Sequence, residues 1–222
     1  MEQLAKSVLT AVLLCVTPFA AQAAVTTYSS QAGFLTAVGA SSTTLDFEAQ
    51  NPNGPTGHID PGSPFTIGAV TFAQPENRLW IFGKDFYNTT GLTSSYLNQN
   101  SNAPSGINVT FVNPVYGVGM NFGIVDKWNS TSLAVTYTLS TGEVINTSAP
   151  LLTGTGNAMA YFGFTSDVAF SSFNINAPSQ GVALDNLTFA SAVPEPESCA
   201  MLLAGLGLMG FMTRRKSGKN AA

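Results

Sequence analysis

Leu133, Val135, Tyr137 and Leu139 alternate with Ala134, Thr136 and Thr138, the period-two pattern of a strand with one buried face. Val118, Met120, Phe122 and Ile124 repeat it, with Gly117, Gly119, Asn121 and Gly123 in between. Thr141-Gly142 then turns the chain into Glu143 to Thr147, which predicts a hairpin. The same reading predicts strands over Thr43 to Glu48, Phe65 to Ala73, Arg78 to Phe82, Ile107 to Val112, Ala158 to Phe164, Val168 to Ile175 and Val182 to Ala190. Turn-rich stretches such as NPNGPTGHIDPGSP separate them. A helix is predicted over Ser30 to Val38, with Ser30 as its cap and Phe34, Leu35 and Val38 on one face. Lys84 to Ser105 reads as a long exposed loop.

Many short strands, no long helix and few charges predict an all-β protein, an antiparallel β-sandwich of the jelly-roll kind, with a closed barrel as the alternative. Residues 24–192 form one exported domain, a length that suits a single core.

The two ends of the chain follow a different pattern. Lys6 precedes an apolar region from Val8 to Val16, and Ala21-Gln22-Ala23 supplies the small-x-small cleavage pattern of a secretory signal peptide spanning residues 1–23. Leu14 is too bulky for the position before a lipidated cysteine, so Cys15 is not read as a lipoprotein site. Near the C-terminus, Cys199 to Met212 is apolar, and Arg214, Arg215 and Lys216 follow directly. As a helix this run measures roughly 21 Å at ~1.5 Å per residue, short of a hydrocarbon core of about 30 Å. It predicts a short transmembrane helix of marginal span, with the basic cluster in the cytoplasm and the body on the other side. Gly205, Gly207 and Gly210 spell G-x-G-x-x-G, but no strand, crossover helix and downstream acid accompany them, so the dinucleotide reading fails.

Val193-Pro194-Glu195-Pro196, the apolar run and the basic cluster together resemble the PEP-CTERM sorting signal of Gram-negative bacteria. The resemblance covers residues 193–216 and leaves 217–222 as a polar tail. It implies processing by an exosortase, a membrane-embedded cysteine protease, in bacteria that make exopolysaccharide. Pro194, Glu195, Pro196, Arg214, Arg215 and Lys216 carry the motif. The two prolines stiffen the linker, because proline fixes φ and restricts its predecessor. The precursor is then held transiently in the inner membrane with its body in the periplasm, and the mature form goes to the cell surface or extracellular matrix. LDFE, AYFGFTSDVAFSSFNI and VALDNLTF also resemble segments of exported domains that precede such signals, many of them lectin-like.

Charge and cysteine content narrow the chemistry. Between residues 24 and 193 the acids Asp46, Glu48, Asp60, Glu76, Asp85, Asp126, Glu143, Asp167 and Asp185 outnumber Arg78, Lys84 and Lys127, which argues against nucleic acid as a partner. Both cysteines, Cys15 and Cys199, lie in the terminal segments, so the body has neither a disulfide nor a thiol nucleophile. His58 is the sole histidine and sits in a Pro- and Gly-rich stretch beside Asp60, which reads as a solvated loop. Asp46 and Glu48 share a strand face, whereas glycosidase acids flank a bond from different elements. No enzyme is expected.

Asp185 shares its alternation with Ala183, Leu187 and Phe189, which carries a carboxylate toward the core, where it needs a partner. Sugar-binding jelly rolls, which this fold resembles, often place a structural calcium where the first and last strands meet. That resemblance implies Glu48, Asp185 and Asn186 as calcium ligands; the alternative is that Asp185 caps a bulge through backbone N–H groups. For sugar stacking, Trp128 in VDKWNS is the first candidate, with Tyr87 and Tyr96 flanking the Asn-rich loop and Asn88, Asn98 and Asn100 offering polar contacts. Trp80 reads as core, because Leu79, Ile81 and Phe82 surround it. The sequence thus predicts an exported surface or matrix protein that binds polysaccharide. The alternatives are a purely structural matrix or adhesion protein and, more remotely, a secreted hydrolase.

Overall fold

Two long strands, Ile107–Val125 and Ala160–Asn176, organise the fold, because each takes part in two sheets. The computed structural model describes residues 23–51, 53–75, 79–86, 94–99, 106–125, 134–152, 159–177, 181–191 and 206. In chain order the elements are β1 (Val25–Tyr28), α1 (Gln31–Val38), β2 (Ser42–Leu45), a 3-10 turn (Glu48–Gln50), β3 (His58–Ile59), β4 (Phe65–Ile67), β5 (Val70–Ala73), β6 (Leu79–Phe82) and β7 (Tyr96–Gln99). Then come β8 (Ile107–Val125), β9 (Ala134–Leu139), β10 (Val144–Ser148), β11 (Ala160–Asn176) and β12 (Gly181–Ser191).

The start of β8 pairs with β5 on one side and with the end of β11 on the other, giving a first sheet in the order β4-β5-β8-β11-β9-β10. From Val115 onward β8 pairs with the start of β11 and with β12, giving a second sheet. There β1 lies outside β11, while the free side of β12 carries β2 near its end and β7, β6 and β3 near its beginning. Both long strands bend where they change sheets. In β8 the bend falls at Val112, Asn113 and Pro114, all exposed, and Pro114 has no N–H to lose from a ladder. In β11 it falls at the exposed Asp167, Val168 and Ala169, where the register slips between Thr165 and Phe170.

The inward faces of the two sheets meet in an aromatic core. Tyr137 of the first sheet stacks 4.9 Å from Phe162 of the second, and Phe111 lies 5.3 Å from Phe189. The architecture is an antiparallel β-sandwich with one small helix, as the alternation predicts; among the described residues the outer strands of the sheets do not pair to close a barrel. The β9–β10 hairpin forms where predicted, with Gly142 at φ 101° in its turn. Helix α1 also forms as predicted, with the Ser30 hydroxyl accepting the Gly33 N–H at 3.3 Å. Its buried residues are Phe34 and Val38, while Leu35 is 36% exposed and turns away from the shared face expected of it.

Glycines in β8 and β11 explain how α1 docks. A methyl group added at Gly163 would stand 3.0 Å from the Phe34 ring, and one at Gly117 would stand 2.8 Å from Val38. The missing side chains make a groove on the outer face of the second sheet, and the helix fills it.

Further expectations change. The strand predicted over Thr43 to Glu48 ends at Leu45, and Glu48 heads a 3-10 turn, so it does not share a strand face with Asp46. Lys84 to Ser105 is not one exposed loop, because it contains β7, whose four residues are all buried between β6 and β12. Its polar Asn98 and Gln99 mask the strand in the sequence, yet Asn98 is satisfied by donating Nδ2 to the Val182 carbonyl at 3.2 Å. Phe65 to Ala73 is a tight hairpin of two strands rather than one, turning at Gly68 with φ 56°. Finally, Asn186 at φ 51° inserts a bulge into β12, where register shifts between Asp185 and Thr188. The bulge inverts the alternation, so that Leu187 and Phe189 share the core with Val182 and Leu184. Asp185 and Ala183 therefore point to the outer face.

Candidate functional site

The bulge lies in a gap. On the free side of β12, β2 pairs with Leu187 to Ala190 and β7 pairs with Ala183 and Leu184, which leaves Asp185 and Asn186 between them. The chain leaving β2 and the chain entering β7 converge there. Asp185 is 4% exposed and its carboxylate accepts the Ser94 hydroxyl, the Asn186 backbone N–H at 2.7 Å and the Asn186 amide at 2.9 Å. Glu48, at the head of the 3-10 turn, accepts the Ser95 N–H at 2.5 Å. Two carboxylates from two elements thus pin Ser94 and Ser95, the residues that lead into β7.

Electrostatics mark Asp185 as the costly member. Burial pushes its carboxyl up to about 6, and the charges of Glu48 and Asp46 push the same way, while the bonds from Ser94 and Asn186 pull it back. The calcium donors expected at this position are turned toward protein partners. Both Asp185 oxygens already accept protein hydrogens, and Asn186 turns its N–H end rather than its oxygen toward the acid. Among the described residues no group of three or more His, Cys, Asp or Glu could hold a metal ion. Asp185 caps the bulge by accepting the Asn186 backbone N–H, the alternative left open by the sequence.

A second cluster of apolar side chains occupies the outer face of the second sheet at its β3 end. Phe82, Tyr96, Val125, Leu152 and Ala183 form its buried base, with Trp80, Phe86 and Met159 half-buried over it. Because β6 has apolar residues on both faces, Leu79 and Ile81 enter the main core while Trp80 and Phe82 face outward. His58 opposes Phe82 across the β3–β6 pair and stacks on Trp80 at 4.6 Å, with Phe86 edge-on at 4.8 Å. His58 is therefore a strand residue in an aromatic cluster, not a solvated loop residue. Its neighbour Asp60 is turned away to accept the Gly62 N–H at 2.9 Å. Close backbone approach sets the geometry: Gly83 donates to the Gly57 carbonyl at 2.9 Å, and a Cβ at Gly83 would meet the Pro55 oxygen at 2.3 Å.

Tyr96 is corrected by this arrangement. It is fully buried, with its ring 5.8 Å from Phe82, so neither face is open for stacking on a sugar. Trp128, Tyr87, Asn88 and Asn100 lie outside the described residues, as do Ala21 of the cleavage pattern and the sorting residues Pro194, Glu195, Pro196, Arg214, Arg215 and Lys216. The sequence signal for Trp80 was present but ambiguous. In LWIF the period-two split separates Leu79 and Ile81 from Trp80 and Phe82, and an apolar run on both faces reads as core.

Strand β12 ends at Ser191, and the chain beyond it has a character of its own. Residues 192–216 match the PEP-CTERM protein-sorting motif. The PEP-CTERM motif marks an exported protein with a C-terminal sorting signal and implies processing by an exosortase, in agreement with the reading of Pro194 to Lys216. Among the described residues no helix is long and apolar enough to cross a membrane, and of the expected sorting helix only Leu206 is among them.

No curated protein matches the chain in sequence. Solved structures similar to it include CBM29-2, a family 29 carbohydrate binding module complexed with mannohexaose, at 10% identity and a TM-score of 0.35, covering 70% of this chain and 94% of that one. The K2 cleaved adhesin domain of Lys-gingipain is similar at 11% identity and a TM-score of 0.35, over 67% and 99% of the two chains. The CBM22-1 xylan-binding domain from Paenibacillus barcinonensis Xyn10C is similar at 13% identity and a TM-score of 0.32, over 68% and 95%. At these values the likeness carries no argument about ligand, and the fold rests on the strand registers above.

Proposed function

We propose that the exported sandwich is a polysaccharide-binding component of the cell surface or exopolysaccharide matrix. In this reading the precursor waits in the inner membrane with its body in the periplasm until exosortase acts near Pro194-Glu195-Pro196. The body binds without turnover. The observation that supports binding is the half-buried stack of His58, Trp80 and Phe86 on a sheet face outside the main core. Aromatic faces stack on the apolar face of a pyranose ring, and nearby polar groups bond its hydroxyls. The acidic balance of the body favours neutral over anionic polysaccharide.

A glycan array and affinity electrophoresis on the mature exported protein test this. Retention by a neutral polysaccharide that is lost in Trp80→Ala or His58→Ala supports the platform described here, and loss only in Trp128→Ala or Tyr87→Ala moves it to those residues. No retention by any glycan favours the purely structural matrix or adhesion reading. Release of sugar, sensitive to His58→Ala or to substitution of Asp46 and Glu48, makes the protein a hydrolase.

A further inference from the structure

The N-terminal end of the β1–β11 ladder is closed by a reciprocal pair. Ala24 donates its N–H to Asp167 Oδ1 at 2.7 Å, and Asp167 returns its own N–H to the Ala24 carbonyl at 3.2 Å. The first distance lies in the range of charge-assisted bonds, at the short end for a neutral amide. The sequence gives this contact a second meaning, since Ala21-Gln22-Ala23 places a leader cleavage immediately before Ala24.

We propose that leader removal after Ala23 creates an ion pair between the new Ala24 α-ammonium and the Asp167 carboxylate, which locks β1 onto the sandwich only in the exported, cleaved chain. Hydrolysis of the Ala23–Ala24 amide consumes one water, leaves a carboxylate on Ala23 and turns the Ala24 nitrogen from a neutral amide into an ammonium. That nitrogen already lies at hydrogen-bond distance from Asp167, so the charge arises where its partner waits.

What the lock secures follows from the topology. Val25 to Tyr28 pair with Ser166 to Gly163, and Tyr28 packs edge-on against Phe34 at 5.9 Å. Phe34 in turn fills the glycine groove of β8 and β11. The order of attachment is therefore Asp167, β1, α1 and the outer face of the second sheet. Before cleavage the nitrogen is uncharged and this edge is held by hydrogen bonds alone. After cleavage it is also held by a full charge pair.

The test uses mature protein exported from the full-length gene. Intact mass and N-terminal sequencing should show a chain beginning at Ala24. Two changes should then lower the melting temperature by similar small amounts, about 1–4 °C. One is Asp167→Asn, which keeps an acceptor oxygen but loses the charge. The other is a Gly-Ser pair inserted between Ala23 and Ala24, which keeps the amide bond at Ala24 but moves the ammonium two residues away. Combined, they should cost no more than either alone. A different mature N-terminus overturns the proposal, and so does an Asp167→Asn effect of equal size with and without the insertion. The insertion leaves Asp167 intact, so the outcome stays readable even if Asp167→Asn fails to fold.

Discussion

Asn186 adopts a left-handed backbone at φ 51° and from that position gives its N–H to the carboxylate of Asp185, the residue before it, at 2.7 Å. The bulge and the buried acid are thus one device. The bulge turns Asp185 out of the core, and the carboxylate satisfies the N–H that the bulge takes out of the ladder.

This device predicts a pH dependence of stability. Asp185 is raised from 3.8 to about 6 in the folded protein, so between those values the folded state binds more protons than the unfolded state. Its contribution is fully present below about pH 4 and is lost as pH rises through about 6, a change on the order of 2–3 kcal/mol at ~1.4 kcal/mol per unit. Denaturation of wild type and Asp185→Asn across pH 4–7.5 should give a difference curve that shifts in favour of the variant as pH rises. A flat difference curve counts against the buried, raised carboxyl.

Calcium provides a separate check on the same residues. Because Ser94 and Asn186 already occupy both Asp185 oxygens, melting curves in millimolar calcium and in chelator at pH 7.5 should superimpose. A calcium-dependent rise abolished by Asp185→Asn would restore the ligand set Glu48, Asp185 and Asn186.

The helix lid predicts a contrast between neighbours. Phe34 is fully buried in the glycine groove, and Phe34→Ala should cost about 3–5 kcal/mol. Leu35 lies at 36% exposure beside it, and Leu35→Ala should cost less than about 0.5 kcal/mol. Urea denaturation of the pair reads both, and equal losses would mean that α1 docks through a different face.

Tyr137 offers a substitution expected to help. Its ring stacks on Phe162, but its hydroxyl is buried with no hydrogen-bond partner among the described residues, and burial drives it well above the usual phenol range. Tyr137→Phe keeps the stack and removes an unsatisfied polar atom, so it should leave stability unchanged or raise it by up to about 1–2 kcal/mol. A clear loss in calorimetry would reveal a partner for the hydroxyl.

Much of the fold was legible because its signals are local. Alternation from Val135 to Leu139, the Thr141-Gly142 turn and the Ser30 cap each specify structure within a few residues, and each formed as read. The sorting motif was legible for the same reason, being linear. What the sequence hid depends on partners distant along the chain. Asn98 looks like a loop residue until the Val182 carbonyl is placed beside it. The phase of Asp185 depends on one left-handed residue that no alternation announces. Trp80 looked like core because both faces of β6 are apolar, and only the second cluster shows that one of them faces outward. The aromatic site joins residues from β3, β6 and the turn after it, so no single window contained it.

The position of β12 has a mechanical consequence. It lies between β8 on one side and β2 and β7 on the other, and it leads directly into the sorting segment after Ser191. A chain tethered by that end and dragged by flowing liquid would feel the pull along the axis of β12. Such a load shears many ladder bonds at once, from Gly181 opposite Val125 to Ser191 opposite Val115, instead of opening them one by one. The strand that would take such a load is thus among the hardest to strip from the sandwich.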